Sequence, residues 1–139
     1  MKYQPINMKT GVDHVAYATR NTDSTIGFLA ALGFEVKIHR VVFERQNVYI
    51  SKVSNQKGDV IEIVEPISYP SAFDDILGER DAVVYHTCFM VDDFEESVSE
   101  VKKAGAIAIT RPFESILYEG YRVTHMYHPS FGMFEIFGV

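Results

Sequence analysis

The sequence has a single cysteine, Cys88, which excludes an internal disulfide and suits a reducing compartment. It has no basic run and carries a net charge of −6, from 19 acidic residues against 13 Lys plus Arg. That balance argues against a nucleic-acid partner and against binding to an anionic membrane surface. No stretch approaches the roughly 18 unbroken apolar residues of a membrane helix. The opening MKYQPINMKT lacks the apolar centre of a signal peptide, so a cytoplasmic location is expected. No low-complexity tract is present. With 139 residues, 47% of them hydrophobic and 23% charged, the chain has the size of one compact domain, or of two very small ones sharing a core.

What is present is a repeat. VDHVAYATRNTDSTIGFLAALGF, from Val12, returns without a gap as VYHTCFMVDDFEESVSEVKKAGA, from Val84. His14 pairs with His86, Tyr17 with Phe89, Leu29 with Val101 and Gly33 with Gly105, each 72 residues apart. Glu62 in DVIEIVE and Glu135 in GMFEIFG stand 73 apart, each inside an apolar alternating run. Each half therefore carries one His and one Glu.

The halves read alike in secondary structure. Gly11–Thr19 is predicted as a strand with His14, Ala16 and Ala18 on one face. A helix follows, capped at Asn21 or Thr22, with Ile26, Leu29, Ala30 and Leu32 near helical spacing and Gly33 closing it. Strands are expected over 34–43, 46–53 and 60–64. The linker of residues 66–82 contains Pro66 and Pro70 and a short helical SAFDDIL. The order then restarts with a strand over 83–91, a helix capped by Asp92 or Asp93 and closed by Gly105, an extended 107–112, and strands over 121–128 and 133–137. The expected organisation is an arm (1–10), a βαβββ module (11–65), the linker (66–82) and a second module (83–139). The fold class is α+β, with two modules in tandem whose sheets complete one core.

Two imidazoles and two carboxylates converging on one point suit a divalent ion of borderline hardness. Zn, Ni, Co, Mn or Fe(II) fit such donors better than Ca or Mg. The predicted ligands are His14, Glu62, His86 and Glu135, which leave two octahedral positions for neighbouring substrate oxygens. A lone His in a strand is more often a hydrogen-bonded core residue, and a lone Glu there usually faces water. Repetition at matched positions shifts the balance toward ligation.

VDHVAYA, the helix ending in LGF, IEIVEP, YHTCFMVDD and YHPSFGMFEI resemble the vicinal oxygen chelate superfamily. This family includes glyoxalase I, methylmalonyl-CoA epimerase, extradiol dioxygenases and fosfomycin and bleomycin resistance proteins. The resemblance runs from Gly11 to Val139 and implies a glyoxalase-like fold, a mixed sheet curled around a metal cleft, with ligands at the four residues above. It also implies a homodimer and a small-molecule substrate. VDHVAYA, YHPSFGMFEI and the EPISYPSAFDDIL joint pull toward the epimerase branch. Where that branch usually has Gln, this chain has Glu62, as glyoxalase I does, and Tyr49 stands where the epimerase places its catalytic Glu.

The implied activity is that of a metal-dependent isomerase, epimerase or glyoxalase-type lyase. It would abstract an α-proton from an acyl thioester or hemithioacetal, with Glu135 or Glu62 as base and Tyr49 as an orienting donor. Arg122, the repeat partner of Tyr49, is expected to flank the metal from the other half and meet a substrate carboxylate or phosphate. His125 falls on the other strand face from Arg122 and reads as packed core, His128 as a turn residue, and Cys88 as a small buried apolar side chain. Two other classes stay open, another metalloenzyme of the superfamily and a metal-free small-molecule-binding or resistance module.

Overall fold

The computed structural model describes residues 3–139. In chain order the elements are β1 (Thr10–Thr19), α1 (Thr22–Ala31), β2 (Glu35–Phe43), β3 (Val48–Ser54), β4 (Val60–Pro66), α2 (Asp74–Leu77), β5 (Ala82–Val91), α3 (Phe94–Lys103), β6 (Ile107–Ala108), β7 (Phe113–Glu114), β8 (Arg122–His128) and β9 (Gly132–Gly138). The class is α+β, with the βαβββ order appearing twice and the second copy carrying the additional short β7. The chain forms two compact units, Asp13–Thr87 and the N-terminal segment to Val12 with Cys88–Val139. β1 and β5 each run from one unit into the other.

In the unit Asp13–Thr87 the strand order is β2-β3-β4-β1. β1 lies parallel to β4, pairing Ala16 with Glu62, and β3 is antiparallel to β4, pairing Lys52 with Glu62 and Tyr49 with Glu65. Residues paired directly across a ladder share a face, and neighbours along a strand alternate. One face therefore carries Glu62 with Ala16 and Lys52, and the other carries Val53, Ile61 and Ile63. That second face packs under α1 through Leu29, with Ile26 and Phe34 beside it.

α1 forms where Asn21 caps it: Ser24 N–H donates to Asn21 Oδ1 over 3.0 Å. Asp23 adds negative charge to the first turn, and Gly33, at φ +90°, takes the left-handed conformation that ends the helix. Leu29 and Ile26 face the core as the spacing predicts. Ala30 and Leu32 do not, and are exposed. α1 closes on a single buried leucine because Leu32 has already left the helix, as its C-cap.

In the other unit the order is β5-β9-β8-β6, with β7 also on β8. α3 starts at Asp93, whose Oδ1 accepts Glu96 N–H over 3.0 Å, and ends in Lys102 and Lys103, charges that complement its dipole. Phe94, Val98 and Val101 from α3 pack with Val91, Met126, Phe134 and Ile136. Full burial of a side chain such as Phe94 or Met126 contributes about 1.5–3 kcal/mol. Cys88, Val123 and Phe137 cluster separately with Phe113 and Tyr121. The extended stretch expected over 107–112 is shorter in the structure, since β6 holds only Ile107 and Ala108.

Candidate metal centre

The β1–β4 ladder places Ala16 beside Glu62, so His14, two residues back along β1, rises from the same face. His14 Nε2 lies 3.4 Å from Glu62 Oε2. The His86 ring, on β5, has its centroid 5.8 Å from that of His14. Within this unit His14, Glu62 and His86 each offer a ligand atom within 4.8 Å of the others. All three are buried, at 5%, 8% and 3% exposure. The sequence-predicted ligands of the first half and the first ligand of the second are thus brought together.

The tautomer of His14 is set locally. Its Nδ1 donates to Asp13 Oδ2 over 2.8 Å, which leaves Nε2, the atom facing Glu62, as a lone-pair donor. Two neutral imidazoles and a carboxylate are the donors that Zn, Ni, Co, Mn and Fe(II) accept. At bond lengths of about 2.1 Å, ligands on opposite sides of one ion stand about 4.2 Å apart. Closure from the observed spacing needs only small movements, so these residues fit a divalent ion.

Glu135 lies in the other unit, on β9, 8% exposed. His125 Nε2 donates to its Oε2 over 2.6 Å, and the two residues are directly paired across β8 and β9. The His125 ring meets Phe113 edge-on at 5.6 Å, and the backbone N–H of His125 donates to Thr110 Oγ1 over 3.0 Å. His125 is buried as expected, but as the hydrogen-bond partner of a predicted ligand. Cys88 is buried too, and His128 donates from Nε2 to Ala104 O over 3.1 Å at the edge of α3.

Tyr49 and Arg122 are placed differently from the sequence reading. Tyr49 pairs with Glu65, so it occupies the strand face opposite Glu62, where the Arg40 guanidinium lies 4.0 Å over its ring. Arg122 pairs with Gly138, on the face opposite Glu135; its guanidinium stands 4.5 Å from the Phe94 ring centroid and ion-pairs with Glu95. Both side chains turn toward the helix-bearing faces. The physical reason is register: the pairing sets which alternate set of residues joins each Glu, and a one-residue difference reverses the face.

The residues that do share those faces are Lys52, opposite Glu62, and His125, opposite Glu135. Lys52 is 5% exposed, with Nζ 3.9 Å from Glu62 Oε2. The sequence pattern alone does not single it out. A signal existed in the repeat, for 52 and 125 stand 73 apart, the spacing of Glu62 and Glu135.

The family model of the glyoxalase/bleomycin resistance protein/dioxygenase superfamily matches residues 13–124. The chain belongs to that superfamily. Among solved structures, a hypothetical protein from Bacillus halodurans C-125 is 21% identical, with 94% of this chain and 95% of that one covered at a TM-score of 0.77. A Streptomyces coelicolor methylmalonyl-CoA epimerase, solved with 2-nitronate-propionyl-CoA, is 25% identical, with coverage of 91% and 95% and a TM-score of 0.73. The methylmalonyl-CoA epimerase from Mycobacterium tuberculosis is 16% identical, with coverage of 99% and 93% and a TM-score of 0.78. A comparison with curated proteins gives no match. As a superfamily member, the chain shares a fold whose relatives include metal-dependent enzymes. No helix among the described residues is long and apolar enough to cross a membrane.

Proposed function

We propose that this superfamily member is a metal-dependent isomerase, epimerase or glyoxalase-type lyase that moves a proton α to the carbonyl of an acyl thioester or hemithioacetal. The carrying observation is the buried set of His14, Glu62 and His86, with ligand atoms within 4.8 Å of one another. Glu135 is proposed as the fourth ligand, because it repeats Glu62 in residue type, burial and position in its module. Similarity to the Streptomyces coelicolor epimerase supports the thioester arm of this reading.

A divalent ion held by His14, Glu62 and His86 would supply Lewis-acid stabilisation of the negative charge that follows loss of the α-proton. The protein's own groups do the rest. A carboxylate oxygen of Glu62 or Glu135 takes the proton as the α C–H bond breaks, leaving the electron pair on the substrate's carbonyl oxygen. The same carboxyl returns the proton to the neighbouring carbon for isomerisation, whereas epimerisation requires a second acid to deliver a proton to the opposite face of the same carbon. Asp13 holds the His14 ring in position through the whole cycle. Tyr49 has no part in this scheme, since it faces away from Glu62.

The test is metal analysis of the purified protein, followed by deuterium uptake from heavy water at the α-carbon of candidate thioesters and hemithioacetals. One equivalent of metal and metal-dependent exchange are expected, with exchange reduced by at least about 100-fold in Glu62→Gln or Glu135→Gln, the usual scale for loss of a general base. Stoichiometric metal with no exchange on any of these substrates would overturn the proton-transfer reading and favour a metal-binding module.

A further inference from the structure

Lysine is rarely buried unless its charge is paired. Lys52 is 5% exposed, sits in the middle of β3, and is paired across the ladder with Glu62. Its Nζ is 3.9 Å from Glu62 Oε2, close enough for a strong Coulomb interaction but too long for a hydrogen bond to that atom. The same carboxylate oxygen lies 3.4 Å from His14 Nε2, so the ammonium stands at the edge of the candidate metal centre.

We propose that Lys52 is a positioning residue for an anionic oxygen of the substrate, giving the site a preference for ligands that carry a carboxylate or oxyanion beside the metal-bound oxygens. This rests on the metal reading above. Glu62 sets one negative charge against a divalent ion, and Lys52 adds one positive charge beside it. Next to a cation, the ammonium opposes metal loading; next to an anionic ligand, it favours binding. The two effects have opposite signs, and a purely structural lysine would not separate an anionic ligand from its uncharged counterpart.

The experiment compares wild type, Lys52→Met and Lys52→Arg after loading with Co(II), with folding checked by circular dichroism. Binding of oxalate and of its uncharged counterpart oxamide is followed by calorimetry and by the Co(II) absorption spectrum. Lys52→Met should bind Co(II) at least as tightly as wild type. It should lose roughly 10- to 100-fold in oxalate affinity, the scale of one charge-assisted contact, with oxamide changed by less than about threefold. Lys52→Arg should recover most of the oxalate affinity. Equal losses for oxalate and oxamide, or an unchanged oxalate affinity, would overturn the proposal. Should Lys52→Met fail to fold, Lys52→Gln takes its place. If the wild type takes up no Co(II), the metal reading fails, and the same comparison on the metal-free protein decides the role of Lys52.

Discussion

His125 and Glu135 face each other across β8 and β9, both buried, with a 2.6 Å hydrogen bond from Nε2 to Oε2. In the other unit the same ladder position opposite a Glu holds Lys52. Each module thus places a nitrogen-bearing side chain from the neighbouring strand beside its carboxylate, a hydrogen-bonding imidazole in one and an ammonium 3.9 Å away in the other. Such partners fix the orientation of a ligand carboxylate and limit how many conformations it samples.

His125→Ala is therefore expected to weaken metal binding by about 10- to 100-fold, the usual cost of removing a partner of a ligand, while the fold is kept. Competition with a chromogenic chelator measures it. His125→Asn should recover part of the loss because its amide can donate to the same oxygen. Unchanged metal affinity in His125→Ala would show that Glu135 is not a ligand or does not depend on His125.

Tyr49→Phe should leave α-proton exchange within about threefold of wild type, because the ring face over which Arg40 lies is kept. A drop of more than about tenfold in exchange, the scale of one hydrogen bond to a developing charge, would return the Tyr49 hydroxyl to the reaction.

Glu65 links three elements. It accepts Thr22 N–H over 2.9 Å at the start of α1 and Arg40 over 3.0 Å. Burial pushes its carboxyl up, but hydrogen bonds from Thr22 and the Arg40 guanidinium outweigh that and hold it below the ordinary value of 4.5. A lowered folded-state value means that Glu65 contributes stability above about pH 4.5, and that this contribution is lost as the pH falls through the folded value. Urea unfolding across pH should show wild type more stable than Glu65→Gln near neutrality, with the gap closing on acidification below pH 4.5. A gap that stays constant with pH would refute the linkage.

Gly138 lies where β9 runs alongside β5. A Cβ there would sit 2.5 Å from the Val91 carbonyl oxygen and 3.0 Å from its Cγ2. Backbone cannot move aside as a flexible side chain can, so Gly138→Ala is expected to cost about 1–3 kcal/mol, the range for overpacking. Thermal unfolding should show a midpoint lower by several degrees; an unchanged midpoint would mean that the strands separate locally without cost.

The sequence by itself determined the duplication, the α+β class and the order of elements, because apolar alternation, helix caps and positive-φ glycines are local properties repeated in both halves. Asn21, Asp93, Gly33 and Gly105 act where the pattern put them. It also singled out His14, Glu62 and His86, since rare polar residues recurred at equivalent points of apolar strands. The face of Tyr49 and of Arg122, and the place of Lys52 beside Glu62, were decided only in the tertiary structure. Alternation along β3 says that Tyr49 and Lys52 point opposite ways, but not which of them joins Glu62. That choice depends on the register across the β3–β4 turn, where Lys52 falls opposite Glu62. Register is a relation between two strands, settled by the packing of Val53, Ile61 and Ile63 under Leu29, and a slip of one residue would have buried the other set.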